Sequence, residues 1–320
     1  MIIRTRRLFL QDYIGLANRL ESLALSFAIQ ARHGHEIWLD WPELDALTVE
    51  GTRTGAPGLL GRFGALRLRE CNAATFATLG QFPKILQRTY LGPDECLEPI
   101  HRETIARIRP RDTIVREVRE IFQPKADRPV VGVHIRRGDF RLVGTGEYDS
   151  NSTRHPAVPL WWYEAVMGAM VKRQPDVCFY LSYSGDGSEF DVLKKHFDIL
   201  EARSPSPYHY KGPDHKAARH PVVDLFALAC CPTLLGTPIS SFSHYAAHLL
   251  GPPTTCLLPP LRTRRTAWGV MQLDLRGKRL VHWVTACRTG AGVQRPPGEI
   301  GPIEFGPANT AWLESSSVAG

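Results

Sequence analysis

Between Val130 and Leu258, short β-branched runs alternate with apolar helical stretches, and this alternation is the strongest constraint on the fold. Val130-Val131-Gly132-Val133-His134-Ile135 has the length and residue types of a buried strand, as do Val177–Ser182, Thr233–Gly236 and Thr254–Leu258. Helices are predicted between them over Pro159–Lys172, with proline near the start, over Val222–Cys231 and over Ser243–Leu250. Such alternation implies a parallel sheet covered on both faces, since each crossover must run back along the sheet. Ligands of such sheets bind beyond the carboxyl ends of the strands. The segments that follow the strands are therefore the first places to seek chemistry.

The N-terminal region repeats the pattern. Ile2–Ile3 and Leu8–Leu10 predict an opening strand. Leu20, Leu23, Ala24, Phe27, Ala28 and Ala31 then form one stripe of a helix, with Gly34 as its C-cap. Ile37–Trp41 predicts a second strand, parallel to the first. Residues 50–65 read as loop, 85–125 as mostly helical, and Gln123–Pro129 as a boundary. From Pro259 onward Arg, Gly and Pro are frequent, and no regular structure is predicted. The expected division is 1–125, 126–260 and a C-terminal extension over 261–320 that packs back on the N-terminal part. The expected fold class from this rhythm is α/β, with a doubly wound parallel sheet.

The net charge of +7 favours anionic partners: nucleic acid, a lipid surface or a phosphorylated small molecule. No Lys/Arg-rich run interleaved with aromatics appears, which argues against nucleic acid. Seven scattered cysteines without a C-x-x-C pair fit reduced thiols, and Cys230 and Cys231 are expected within a buried helix. No apolar run approaches the length of a membrane span, and the basic start lacks a signal-peptide core. A cytoplasmic protein is the expectation.

Three segments stand where ligands are expected. His134-Ile135-Arg136-Arg137-Gly138-Asp139 sets two guanidiniums at the end of a buried strand, where their planar forks suit paired phosphate oxygens. The alternative is a surface ion pair with Asp139. Thr237-Pro238-Ile239-Ser240-Ser241-Phe242-Ser243 precedes a helix, so its hydroxyls and backbone N–H groups suit an anion, or else form a plain serine cap. Gly15–Asn18 opens the first helix in the same manner. Trp161, Trp162 and Tyr163 read as core rather than a sugar platform, and His244 and His248, with no third ligand, as packing rather than metal ligands.

In their order, these segments resemble the donor motifs of the GDP-fucose-dependent fucosyltransferases. That superfamily includes the α-1,2 and α-1,6 enzymes and the bacterial nodulation type. His134-x-Arg136-Arg137-Gly138-Asp139 is similar to their H-x-R-R-G-D motif. Val223-Asp224 through Cys231, followed by Ser240–Ser243, is similar to the second donor motif. Gly15–Leu20 with Ile37–Trp41 is similar to the N-terminal motif, closest to the nodulation type, with Ala17 where a second glycine is usual.

The resemblance implies a GT-B-like fold, with two lobes facing a central cleft and the nucleotide sugar in the C-terminal one. It implies inverting, metal-independent transfer of fucose from GDP-fucose to a glycan hydroxyl, with no cofactor. Arg136 would hold the β-phosphate, with Arg137 in support. His134 and Asp224 would meet the guanosine, Ser240 or Ser241 the phosphates, and Gly15 and Asn18 would complete the donor site. Glu147 is the first candidate for the base that acts on the acceptor hydroxyl, with Asp139 and Asp149 as rivals. The alternatives are another GDP-sugar such as GDP-mannose, or a binding protein without catalysis.

Overall fold

The computed structural model describes residues 5–144, 146–202, 220–248, 251, 254–275, 277–301, 303 and 305–316. Ile2–Ile3, Thr145 and Leu249–Leu250, which figure in the sequence expectations, lie outside these residues. Two compact units divide after Asp112, the second running from Thr113 to Ser316. The expected boundary at 125/126 thus falls inside the second unit, because α5 (Asp112–Phe122) buries Ile114, Val115, Val118, Ile121 and Phe122 there.

The first unit contains β1 (Arg7–Gln11), α1 (Leu16–His33), β2 (Glu36–Asp40), β3 (Leu47–Val49), β4 (Arg53–Thr54), α2 (Leu59–Arg62), β5 (Leu66–Leu68), α3 (Ala73–Thr78), β6 (Lys84–Gln87), α4 (Asp94–Ala106) and β7 (Ile108–Pro110). Its main sheet is parallel, in the order β4-β2-β1-β6-β5. The predicted strand–helix–strand start is present, and Gly34 ends α1 with a left-handed φ of 72° that a glycine adopts without strain. Ala31, the last residue of the predicted stripe, is exposed. Within α1, Arg19 is wholly buried, since Glu43 receives its fork at 2.8 and 2.5 Å. The 50–65 segment holds β4 and α2, and the stretch from 85 includes strands β6 and β7, whose few residues are too short to show a period of two.

The second unit continues with β8 (Val130–Ile135), β9 (Glu147–Asp149), α6 (Leu160–Arg173), β10 (Cys178–Tyr183), α7 (Asp191–His196), β11 (Ile199–Leu200), α8 (Pro221–Ala229), β12 (Thr233–Leu235), α9 (Ser241–His248), β13 (Thr255–Leu258), β14 (Arg262–Arg264), β15 (Val270–Leu273), α10 (Leu280–Thr289), β16 (Val293–Arg295) and α11 (Trp312–Ser316). Its sheet runs β11-β10-β8-β12-β13-β15-β16, parallel from β11 to β13. The last two strands join this parallel sheet through antiparallel pairing. They come from the segment assigned to a separate extension, and residues 261–316 belong to the second unit.

All six residues of β8 are buried. One face of the sheet carries α6, whose Trp162, Tyr163, Val166, Met167 and Met170 pack with Val131 and Val133. Each such buried side chain contributes about 2–3 kcal/mol by removal from water. On the other face Gly132 is closely packed, since a Cβ there would meet Leu228, Leu234 and Cys231 at 3.1–3.3 Å. Cys230 and Cys231 are buried as expected, although α8 ends at Ala229 and Cys231 lies past its cap. All seven cysteines are free thiols.

Candidate functional site

The order of strands fixes where a site can form. From β8 the chain runs outward through β10 and β11 on one side, then returns to place β12 and β13 on the other. The crevice at the carboxyl ends of β8 and β12 is therefore the point where successive connections part, the usual ligand position in such sheets. Arg136 follows β8 directly, and Thr237 stands two residues beyond β12.

Hydrogen bonds tie these two strand ends into one assembly. The Arg136 backbone N–H donates to Thr237 Oγ1 at 3.1 Å, and that hydroxyl donates to the His134 carbonyl at 2.9 Å. Tyr163 of α6 adds its phenol, 3.2 Å from both the His134 carbonyl and Thr237 Oγ1. Burial pushes this phenol up to about 12, so it stays protonated. Ser243 Oγ, wholly buried, accepts from the Thr237 N–H at 3.0 Å and lies 2.7 Å from His134 Nδ1. Burial pushes His134 down to about 3, with the nearby Arg136 charge acting in the same direction, so its imidazole is neutral. Its ring lies 5.0 Å from that of Phe242.

The two arginines differ in direction. Arg136 is about one-third exposed, and Asp139 Oδ1 holds its Nε at 3.1 Å and its Nη2 at 3.0 Å. This is the predicted surface ion pair, and it occupies one edge of the guanidinium. Arg137 turns inward with 8% of its side chain exposed: Nε donates to Glu189 at 2.7 Å and Nη1 to the Val158 and Arg136 carbonyls at 3.1 and 3.2 Å. Its backbone N–H is held by Ser184 Oγ at 2.9 Å. Gly138 follows in a left-handed conformation, φ 79°, which lets the chain turn sharply after the pair.

On the hydroxyl-bearing turn, Ser240 is buried and Ser241 half-buried, and α9 begins at Ser241. Ile239 between them and Pro238 has φ 65°, a conformation that a β-branched residue adopts at a cost of about 1–3 kcal/mol. Among the described residues no other non-glycine has positive φ. Asp224 lies in the first turn of α8, 6% exposed, where it accepts from Tyr180 Oη at 2.5 Å and Ser182 Oγ at 3.0 Å. A carboxylate at a helix start is favoured by the helix dipole.

The candidate base stands elsewhere in the same unit. β9 pairs antiparallel with β14, which sets Glu147 opposite Arg264 and Asp149 opposite Arg262, with ion pairs of 2.9 and 3.0 Å. Tyr148 between them turns to the other face and is buried. Both carboxylates line an open cavity of about 230 Å³. In the first unit, Gly15 is the N-cap of α1 with ordinary negative φ, and Asn18 lies half-buried in its first turn. Trp161, Trp162 and Tyr163 are buried, as expected of core residues. His244 and His248 have ring centres 4.9 Å apart, and among the described residues no three His, Cys, Asp or Glu side chains form a metal-holding group.

The sequence reading singles out the Thr237–Ser243 segment, and the structure adds that Thr237 and Ser243 themselves join the strand ends. Glu189 and Ser184, which fix Arg137, escape that reading. Ser184-Gly185-Asp186-Gly187 after β10 was a visible signal for the latter pair, since it follows a strand end neighbouring β8. Tyr163 is core and site brace together, which burial patterning alone does not reveal.

By sequence, no protein-family model and no curated protein matches the chain. Among solved structures it is similar to a variant of FUT1 from Arabidopsis thaliana in complex with GDP, at 12% identity, 82% of this chain, 71% of that one and a TM-score of 0.50. It is also similar to the fucosyltransferase NodZ from Bradyrhizobium, at 16% identity, 79% and 96% coverage and a TM-score of 0.47. A third is POFUT1 in complex with GDP-fucose, at 12% identity, 79% and 98% coverage and a TM-score of 0.49. The FUT1 likeness is one of fold, and the expected α/β class with parallel sheets in both units holds.

Proposed function

We propose that the chain is an inverting, metal-independent glycosyltransferase that moves fucose from GDP-fucose to a glycan hydroxyl, acting in the cytoplasm without a cofactor. The observation that supports this most directly is the convergence of Arg136 with the Thr237–Ser243 turn at one switch point. In this reading the second unit takes the donor and the first the acceptor.

Each group then has a chemical task. The acceptor oxygen attacks the anomeric carbon from the face opposite the phosphate, the bond to the β-phosphate oxygen breaks, and GDP departs with the electron pair. Negative charge grows on that oxygen, and Arg136 stabilises the transition state more than the ground state. Asp139 aligns the Arg136 fork, while Arg137, held by Glu189 and bonded to the Arg136 carbonyl, positions the strand end. Ser240 and Ser241 serve the phosphates, and the neutral His134 and the carboxylate of Asp224 serve the guanosine. Glu147 receives or orients the acceptor proton, with Asp149 as the neighbouring carboxylate.

The test is incubation of wild type and Arg136→Ala with GDP-fucose and candidate glycans, with and without chelator. Fucosylated product that is insensitive to chelator and lost in the variant is expected; unchanged turnover in Arg136→Ala overturns the role of the arginine. Parallel reactions with GDP-mannose separate the donor sugars. A non-catalytic binder would take up GDP with neither transfer nor donor hydrolysis.

A further inference from the structure

The sheet of the first unit has a switch point of its own. The chain leaves β1 through α1 for β2 on one side, and later returns to set β6 on the other. At the carboxyl ends of these strands lies an open cavity of about 410 Å³, lined by Gln11, Arg62, Arg67, Arg69, Leu86 and Arg88. Arg88 spans the parting of the strands, with Nη2 3.3 Å from Gln11 Oε1 and its guanidinium 5.4 Å from the Tyr13 ring. Gln11 is anchored in turn by donating to Asp40 at 3.1 Å. No carboxylate lines the cavity, and no described ion pair involves any of the four arginines. Elsewhere in this unit Arg19, Arg53 and Arg107 are each paired with an acid.

We propose that this cavity is an anion-recognition site for a phosphate- or sulfate-bearing saccharide. Four like charges around one concavity repel one another, and a ligand carrying oxyanions relieves that repulsion. Guanidinium forks bind paired oxygens of phosphate or sulfate in a way that lysine does not. The volume suits a small sugar, being within the usual range of about 300–1,000 Å³ for ligand pockets. A concave site at a strand parting favours a discrete ligand over the extended stripe that a nucleic acid requires. The inference extends the proposed transferase by giving its acceptor a charged group, but the binding itself involves only the first unit.

Calorimetry on the full chain without GDP tests it, with a sulfated disaccharide, its non-sulfated counterpart and inorganic phosphate as probes. Binding of the sulfated sugar, at least tenfold weaker for the non-sulfated one and reduced about tenfold in Arg67→Gln/Arg69→Gln, is expected from losing charge-assisted bonds. Both arginines are exposed, so the variant folds normally, and its affinity for GDP is unchanged. Arg67→Lys/Arg69→Lys should recover only part of the affinity. Equal binding of both sugars, or of wild type and the glutamine variant, overturns the proposal. Leu59 and Phe63 flank Arg62 at 90% and 84% exposure, so anionic vesicles are the necessary control. Tighter binding to vesicles than to the sulfated sugar also overturns it. Failure to bind GDP would instead sink the donor reading and leave this site standing.

Discussion

Ser243→Ala removes one oxygen that serves both halves of the candidate donor site. In the structure that oxygen accepts from the Thr237 N–H at 3.0 Å and meets His134 Nδ1 at 2.7 Å, with no solvent exposure. The alanine leaves two buried polar groups without that partner, at about 1–3 kcal/mol each. A loss of about 2–6 kcal/mol is expected, which for a unit of this size lowers Tm by roughly 4–24 °C. Freed from Ser243, the Thr237 turn also loses its grip on the Arg136 backbone, so GDP affinity should fall with stability. Thermal unfolding with and without GDP measures both quantities in one experiment. Ser243→Thr, which keeps the hydroxyl, should restore more GDP affinity than Ser243→Ala. If Ser243→Ala melts within 1 °C of wild type and binds GDP equally well, the bracing argument is wrong.

Arg136→Ala should reduce turnover by about 10²–10³, the loss seen when one donor to a developing oxyanion is removed, with little change in Tm because the side chain is partly exposed. A steady-state assay beside a melting curve checks this. His134 is neutral in the fold while the unfolded chain takes a proton near pH 6.5, so stability falls as pH drops through 6.5 and goes on falling towards about pH 3, by up to about 1.4 kcal/mol per unit. Urea unfolding of wild type and His134→Gln at pH 7.5, 6.0 and 5.0 should show the shallower pH slope in the variant. Ile239→Asn, a residue that tolerates left-handed φ, should raise stability by about 1 kcal/mol yet weaken GDP binding; a lower Tm would contradict the strain. Glu147→Gln should lower turnover without altering GDP affinity, whereas Asp139→Asn should change both, and calorimetry with a transfer assay separates them.

What the sequence disclosed follows from which forces act locally. β8 was legible because six consecutive buried residues leave a continuous apolar run, and α1 because its stripe and Gly34 are set by helical geometry. The position of Arg136 at a strand end followed from the same reasoning. The inward turn of Arg137 did not, because it depends on Glu189 and the Val158 carbonyl, far away in the chain. Ile239 gave no warning, since isoleucine is among the last residues expected at positive φ. The ribbon of β9 and β14 was hidden for a related reason. Three residues on each side carry too little pattern, and the ladder of Glu147 with Arg264 and Asp149 with Arg262 exists only once the strands have met.

The antiparallel close of the second sheet limits how the gene can be cut. A fragment ending at Pro260 would strip β13 of its neighbour β15, and would remove the Gly269 carbonyl from Trp162 Nε1, Gly306 from the Val130 N–H and Asn309 from the Cys230 carbonyl. Val270 and Ile300 would vanish from the same apolar cluster that seats β8. A version of the second unit prepared for crystallography or for grafting therefore has to retain residues through at least 316, and one trimmed to the motif-bearing stretch should be recovered only as inclusion bodies.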